Sequence, residues 1–558
     1  MRRQGFHAAL ALGTLLAIAG CGKKQDSMTP LGFAPAETAF VIANIDSAPE
    51  AFTARWSQQM KDVWPLITRI YEPLITEVAK KDSATAQVLH AVLDEVSQRD
   101  TPEKWREIGF STTAHGAIYG VGLVPVVRIE LADPDAFRAM IARVEQKGGA
   151  KLGTARIGDQ DVWTFGQAPA QGLLAIERNH LVLTVVPTQA DEALKRRVLG
   201  LDRPQKSLAD SGALVDFNKQ RGYLPYGSGW IDTRRVVALY NDDPAIAAFA
   251  QAFGSAPPKL DMACRSEFEA LAAQAPMFAL GYTALDANQM TFHGRLDLAP
   301  ALAKSLSALP GSMPAASVTS LLDMAFALPI LRGRDFLVAQ ADALAKSPFT
   351  CATLVPLNQK MADMRGKLEQ MIPPPLADLI GLRVSVSRFA WPASAAIPDV
   401  SASVLISTAN PAFLTNLAQV SVPALAQLKL EPNGHPVAIP SNAIPGAPAN
   451  VSLHAAMSAN MLGVSVGTDE APRLGKAVTA ASAAPGVLFD MSLSGEVYTL
   501  MADGIGRLAD KIPDAQREQV QGSRELYAMY AKWFKRIVAR MTLTNDGIEL
   551  FESVQFNP

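Results

Sequence analysis

The chain has 558 residues, 49% hydrophobic and 19% charged, a globular balance that excludes an extended disordered protein. Its formal charge is −2, or −4 once Arg2 and Arg3 are set aside, so no basic excess points to nucleic acid. Past the first twenty residues no stretch holds eighteen uninterrupted apolar residues, and the nearest, 317–331, carries Asp323, so no membrane-spanning helix is predicted.

Residues 1–20 read as a signal peptide: Arg2 and Arg3 supply a positive start, and Ala8 to Ile18 form a short uncharged apolar run. Small residues Ala19 and Gly20 then precede Cys21. The sequence Ile18-Ala19-Gly20-Cys21 resembles the bacterial lipobox, in which the cysteine thiol takes a diacylglycerol and becomes the new N-terminus. Acyl chains bury in lipid at about 0.8 kcal/mol per CH2, so lipidation at Cys21 would anchor the chain, with residues 21–32 as tether. Gly22 rather than Asp after the cysteine implies, by the bacterial sorting rule, the outer membrane, with the body expected to face the periplasm.

Two cysteines follow, Cys264 and Cys351, and in an oxidising compartment they are a candidate disulfide.

"TAFVIANI" (38–45) predicts a strand, and Ser47 with Glu50 three residues on predicts a capping box opening a helix. That helix carries Trp56, Met60, Trp64, Ile67 and Tyr71 at helical spacing. Strands are predicted at "GAIYGVG" and "VPVVRIEL", then a helix capped by Asp133 with Pro134 in its first turn. "DVWTF", "GLLAIE" and "LVLTVV" read as a meander, followed by a helix near 187–198, a strand at "GWI", more helix and a closing hairpin.

The same order recurs. Pro35 pairs with Pro314, Asp133-Pro134 with Asn410-Pro411, and Asn179 with Asn460, at offsets of 279, 277 and 281. Asp232 with Asp490, and "LDANQMTFHGRLDLAP" with "LTNDGIELFESVQFNP", share an offset of 258, which places an insertion in the first copy within 198–222. The expected architecture is α+β, a tandem duplication of a mostly antiparallel sheet with packed helices. Copy one covers 33–300, a linker 301–311, and copy two 312–558. The P-A-E-T opening, the D-P-x-A-F helix start and the N-H-L-V-L strand resemble a group of uncharacterised bacterial envelope lipoproteins. The resemblance implies fold class and compartment and carries no activity.

Chemistry is sparse. No H-E-x-x-H, paired C-x-x-C, EF-hand or phosphate loop is present, so no metal or cofactor is expected. His180 beside Ser111 or Asp191 would make a base, but copy two has Met461 in its place, which favours a structural histidine. "WIDTRR" offers Asp232, Arg234 and Arg235 to an acidic partner, although an N-cap explains it more simply. Trp56, Trp64 and Tyr71 would grip a lipid tail or a partner helix, or else face the core, the commoner meaning of such a stripe. The expectation is therefore a non-enzymatic envelope lipoprotein of binding or scaffold type, its partner an envelope protein or an apolar ligand between the lobes. A carrier of lipid or apolar cargo is one alternative. An envelope hydrolase assembled only in three dimensions is the other.

Overall fold

The computed structural model describes residues 28–558 apart from 81–82, 167, 169, 241–242, 244–245, 247–259, 316–319, 371, 392–397, 444–450, 483–484 and 510–513. The signal peptide and Cys21 therefore lie outside the described residues. The chain divides after Gly294 into two compact units, and the fold is α+β.

The first unit holds strands β1 (Phe40–Ala43), β2 (Gly116–Val121), β3 (Val124–Glu130), β4 (Gly153–Ile157), β5 (Gln160–Phe165), β6 (Ala170–Glu177), β7 (His180–Pro187), β8 (Ser228–Asp232) and β9 (Met277–Leu285), with β10 (Gln289–Asp297) closing a hairpin on β9. Their order across the sheet is β10-β9-β8-β1-β2-β3-β7-β6-β5-β4. The second unit holds β11 (Leu322–Phe326), β12 (Leu379–Ala390), β13 (Asp399–Thr408), β14 (Val437–Ala438), β15 (Leu453–Met457), β16 (Met461–Val466), β17 (Val487–Ser494), β18 (Phe534–Leu543) and β19 (Gly547–Phe556). These lie in the order β19-β18-β17-β11-β12-β13-β16-β15-β14, with antiparallel neighbours throughout. Strand for strand the two orders agree, apart from β4, which has no counterpart among the described residues.

Register makes the correspondence residue by residue. Arg128 stands opposite Val182, and Leu405 opposite Gly463, which reproduces the offsets of 277 and 281 in hydrogen-bonded geometry. The opening strand needs correction. Ala43 stands between Ala117 and Ser228, and Ala325 between Arg383 and Asp490, so the first-strand offset is 282 and that of β8 is 262. Asp490 thus takes the place of Ser228, and Asp232 that of Ser494. The even error of four keeps a side chain on its face. The odd error of three would have turned β11 over, since side chains alternate with period two. Isolated prolines and aspartates do not carry that phase.

The insertion in copy one folds into helices Leu208–Ser211 and Ala213–Arg221, whereas the second unit passes from helix Glu470–Thr479 to β17 within seven residues. The expected linker contains the helix Pro300–Ser307. Asp133 accepts from the amides of Asp135 and Ala136, and Asn410 from that of Phe413, so both copies cap this helix and follow with proline as predicted. The Ser47 capping box does not form. The helix starts at Glu50 behind Pro49, which stands at the N-cap with ψ 137° and no side-chain cap, since the residue before a proline is disfavoured in the helical region. Cys264 and Cys351 are both buried and both disulfide-bonded.

Candidate functional site

The strand "LRVSVS" of the second unit alternates Arg or Ser with Val or Leu, and "ASVLIS" keeps its serines on one parity with Leu405 between them. Alternation predicts two unlike faces and leaves open which one is inside. Here the polar face is covered. Asp323, Arg383, Ser385, Ser401, Ser407 and Ser465 are buried, together with Leu405 and Met461. Helix Glu470–Thr479 packs there, coming so close at Gly463 that a Cβ would meet Leu474 and Val478 within 2.6–2.7 Å.

The apolar face is open over part of its width: on β15 its Leu453, Ala455 and Met457 are buried, Met457 beside Thr415 of helix Pro411–Ser421, while the strands next to β15 leave it exposed. Met324, Phe326, Leu382, Val404 and Val464 are each 37–46% exposed. They form one surface: Phe326 stands opposite Leu382, Met324 opposite Val384, Val384 opposite Val404, and Val404 opposite Val464. Met491 and Phe489 continue it onto β17. Five strands at about 4.8 Å spacing make the surface about 19 Å wide. Each of the five strands beneath it is paired on both sides, so the surface offers methyl groups, thioethers and rings and little directional bonding. In the first unit the matching face is roofed in part by helices Ser83–Ser97 and Pro134–Gly148, whose Val88, Phe137, Met140 and Val144 pack with Val127, Trp163 and Leu174.

Each unit also buries an arginine in the sheet. Ala117 stands opposite Arg128 and Arg383 opposite Leu405, so the two copies fill one cross-strand pair with an arginine from opposite sides. Arg383 is ion-paired to Asp323 and lies 3.3 Å from Asp490, while its Nε donates to the Pro314 carbonyl at 2.8 Å. Asp490 in turn accepts from Arg540 at 3.1 Å, and Asp323 from Ser385. The first unit has Ala117, Ala43 and Ser228 in that row, and Asn218 of the inserted helix donates to the Ser228 hydroxyl at 2.7 Å. Arg128 makes no ion pair among the described residues. Its donors reach the Tyr119 hydroxyl at 3.3 Å, the Leu199 carbonyl, and His180 Nδ1 at 3.5 Å.

The constellation around His180 is not assembled. His180 is fully buried against Arg128, and burial first, then that guanidinium, push its pKa down to about 4. Ser111 is bonded to Thr113, and Asp191 caps helix Glu192–Leu199 through the Leu194 amide. Asp232 accepts from the Arg235 amide at 2.9 Å, the capping role, and Arg235 pairs with Glu37. Arg234 takes no part in that cap. Trp64 is buried in a cluster with Met60 and Tyr71 and donates to the Val96 carbonyl, so this part of the stripe faces the core, and Trp56 stacks on Phe52.

Sequence reasoning met Asp323 only as the charge in an apolar run and Asp490 only as the repeat partner of Asp232, and it singled out neither arginine nor the open apolar face. Of the two arginines only Arg128 left a trace, as a charge at the buried parity of "VPVVRIE" after Val124 and Val126. No protein-family model matches the chain, and no curated protein or solved structure matches it.

Proposed function

We propose that this protein is a non-enzymatic envelope lipoprotein, anchored at the outer membrane through Cys21, that binds an apolar ligand on the open sheet face of its second unit. The observation that carries the reading is the inverted burial of that sheet: serines and an ion network inside, Met324, Phe326, Leu382, Val404 and Val464 outside. Contiguous exposed apolar surface of this kind marks interaction sites. Because it presents hydrocarbon and no donors or acceptors, an acyl chain suits it better than a peptide, whose amides would lose their water without finding partners. This favours the carrier reading over a scaffold.

The test is titration of a fluorescent sixteen-carbon fatty acid into the secreted chain carrying Cys21→Ser, beside Phe326→Asp and Val404→Asp. Phe326 and Val404 are 46% and 37% exposed, and the denaturation midpoint of each variant is read beside its affinity, so that lost binding is separated from lost folding. Affinity should fall at least tenfold in each variant. Undiminished binding in both would refute the site, and native mass spectrometry showing a bound protein in place of a lipid would refute the ligand class.

A further inference from the structure

Phe33, only 2% exposed, sits in an unusual seat. Its ring centroid lies 3.8 Å from Arg128 Cζ and 4.4 Å from Arg203 Cζ, and His180 meets the ring edge-on with centroids 5.3 Å apart. Two guanidiniums and an imidazole thus converge on a phenyl ring. A ring quadrupole attracts cations weakly, while an oxyanion in the same place would receive charge-assisted, bidentate hydrogen bonds. Since His180 Nδ1 faces the Arg128 donor, the imidazole proton is assigned to Nε2, and Nε2 is buried with no hydrogen-bond partner among the described residues.

The sister unit provides an internal comparison. Its buried Arg383 has Asp323 and Asp490, whereas the corresponding positions in the first unit are Val41 and Ser228. A buried cation without a counter-charge is costly. Backbone also approaches Arg128 closely: a Cβ on Gly200, which has φ +80°, would stand 2.3 Å from Nη2.

We propose that the seat of Phe33 is a binding site for a phosphate-type oxyanion, to be held by Arg128 and His180 Nε2, and that the leader at 29–36 closes it. The leader is fixed beyond Phe33 by the Ala36 amide on the Lys206 carbonyl and the Leu208 amide on the Ala34 carbonyl, both 2.9 Å. Swinging Phe33 out breaks no strand ladder. The site is separate from the apolar face and stands or falls without it.

The test uses the secreted chain with Phe33→Ala, titrated with inorganic phosphate against sodium chloride at matched ionic strength and followed by thermal denaturation. The melting temperature should climb by a near-constant step per tenfold phosphate once the site saturates, as ligand linkage requires. The step should vanish in Phe33→Ala/Arg128→Gln. Dihexanoyl phosphatidylglycerol in a parallel titration separates a lipid headgroup from free phosphate. Stabilisation by neither probe overturns the proposal. Should Phe33→Ala fail to fold, hydrogen exchange of the unaltered leader decides: phosphate should speed exchange at the Gly32 and Phe33 amides, which bond to the Thr29 and Pro30 carbonyls, and unchanged rates overturn the proposal.

Discussion

Breaking the Arg383 network one residue at a time should cost far more than removing its central pair. Arg383 is fully buried, and its partner Asp323 has a side chain only 2% exposed. Asp323→Ala leaves the guanidinium with Asp490 alone, already shared with Arg540. Arg383→Met leaves the Asp323 carboxylate buried without its cation. Losing one partner of a buried pair costs about 3–5 kcal/mol, because the remaining charge stays desolvated. At about 2–4 °C per kcal/mol for a unit of this size, either change should lower the melting temperature of the second unit by about 6–20 °C. The double variant Arg383→Met/Asp323→Val removes both charges, keeps most of the volume, and gives position 323 the residue the first unit uses at Val41. Replacing a buried pair by apolar residues of similar volume is often neutral or stabilising, so this variant should lie within about 2 kcal/mol of the parent. Urea denaturation of the parent, Asp323→Val, Arg383→Met and the double variant closes the cycle, with an expected coupling of at least about 2 kcal/mol. Additive single costs would refute the argument that the network is held by mutual compensation. A cost below about 1 kcal/mol for Asp323→Ala would refute its burial.

Two further outcomes are expected. The unfolded chain protonates His180 near 6.5 while the folded chain resists until about 4. Between those values the unfolded state binds more protons, so stability falls as pH drops through that window, by about 3 kcal/mol in all. His180→Met, the residue present at Met461, should flatten the profile there, and an unchanged slope in pH-dependent urea denaturation would show that His180 is not the group responsible. His115, raised first by the hydrogen bond it donates to the Glu130 carboxylate, acts in the opposite sense: its contribution is present below pH 6.5 and fades as pH rises through the elevated value. Finally, with Cys21 acylated, Cys264 and Cys351 are the remaining cysteines of the chain, and non-reducing peptide mapping should recover them joined. A loop of that length constrains the unfolded state by about 4–5 kcal/mol in the chain-entropy model, so reduction should lower the melting temperature. Recovery of either cysteine linked to a second chain would refute the pairing.

The sequence by itself determined what depends on local chemistry and on order along the chain. Asp133 and Asn410 announce their helices because an N-cap needs one short acceptor side chain followed by a proline-compatible turn. The offsets of 277 and 281 announce the shared register of β3–β7 and β13–β16 because a duplicated fold keeps its pairings. Trp64 announces the core because an aromatic stripe at helical spacing must be buried somewhere. Tertiary structure alone decided which side of a strand is inside. "RVSVS" has the same period whether its valines or its serines are buried, and the answer came from where helix Glu470–Thr479 packs, a contact made some ninety residues further along the chain. It decided equally that Ala117 and Arg128 form one pair that Arg383 and Leu405 fill the other way round. No local signal records that exchange, because it concerns a volume shared by neighbouring strands and not any single residue.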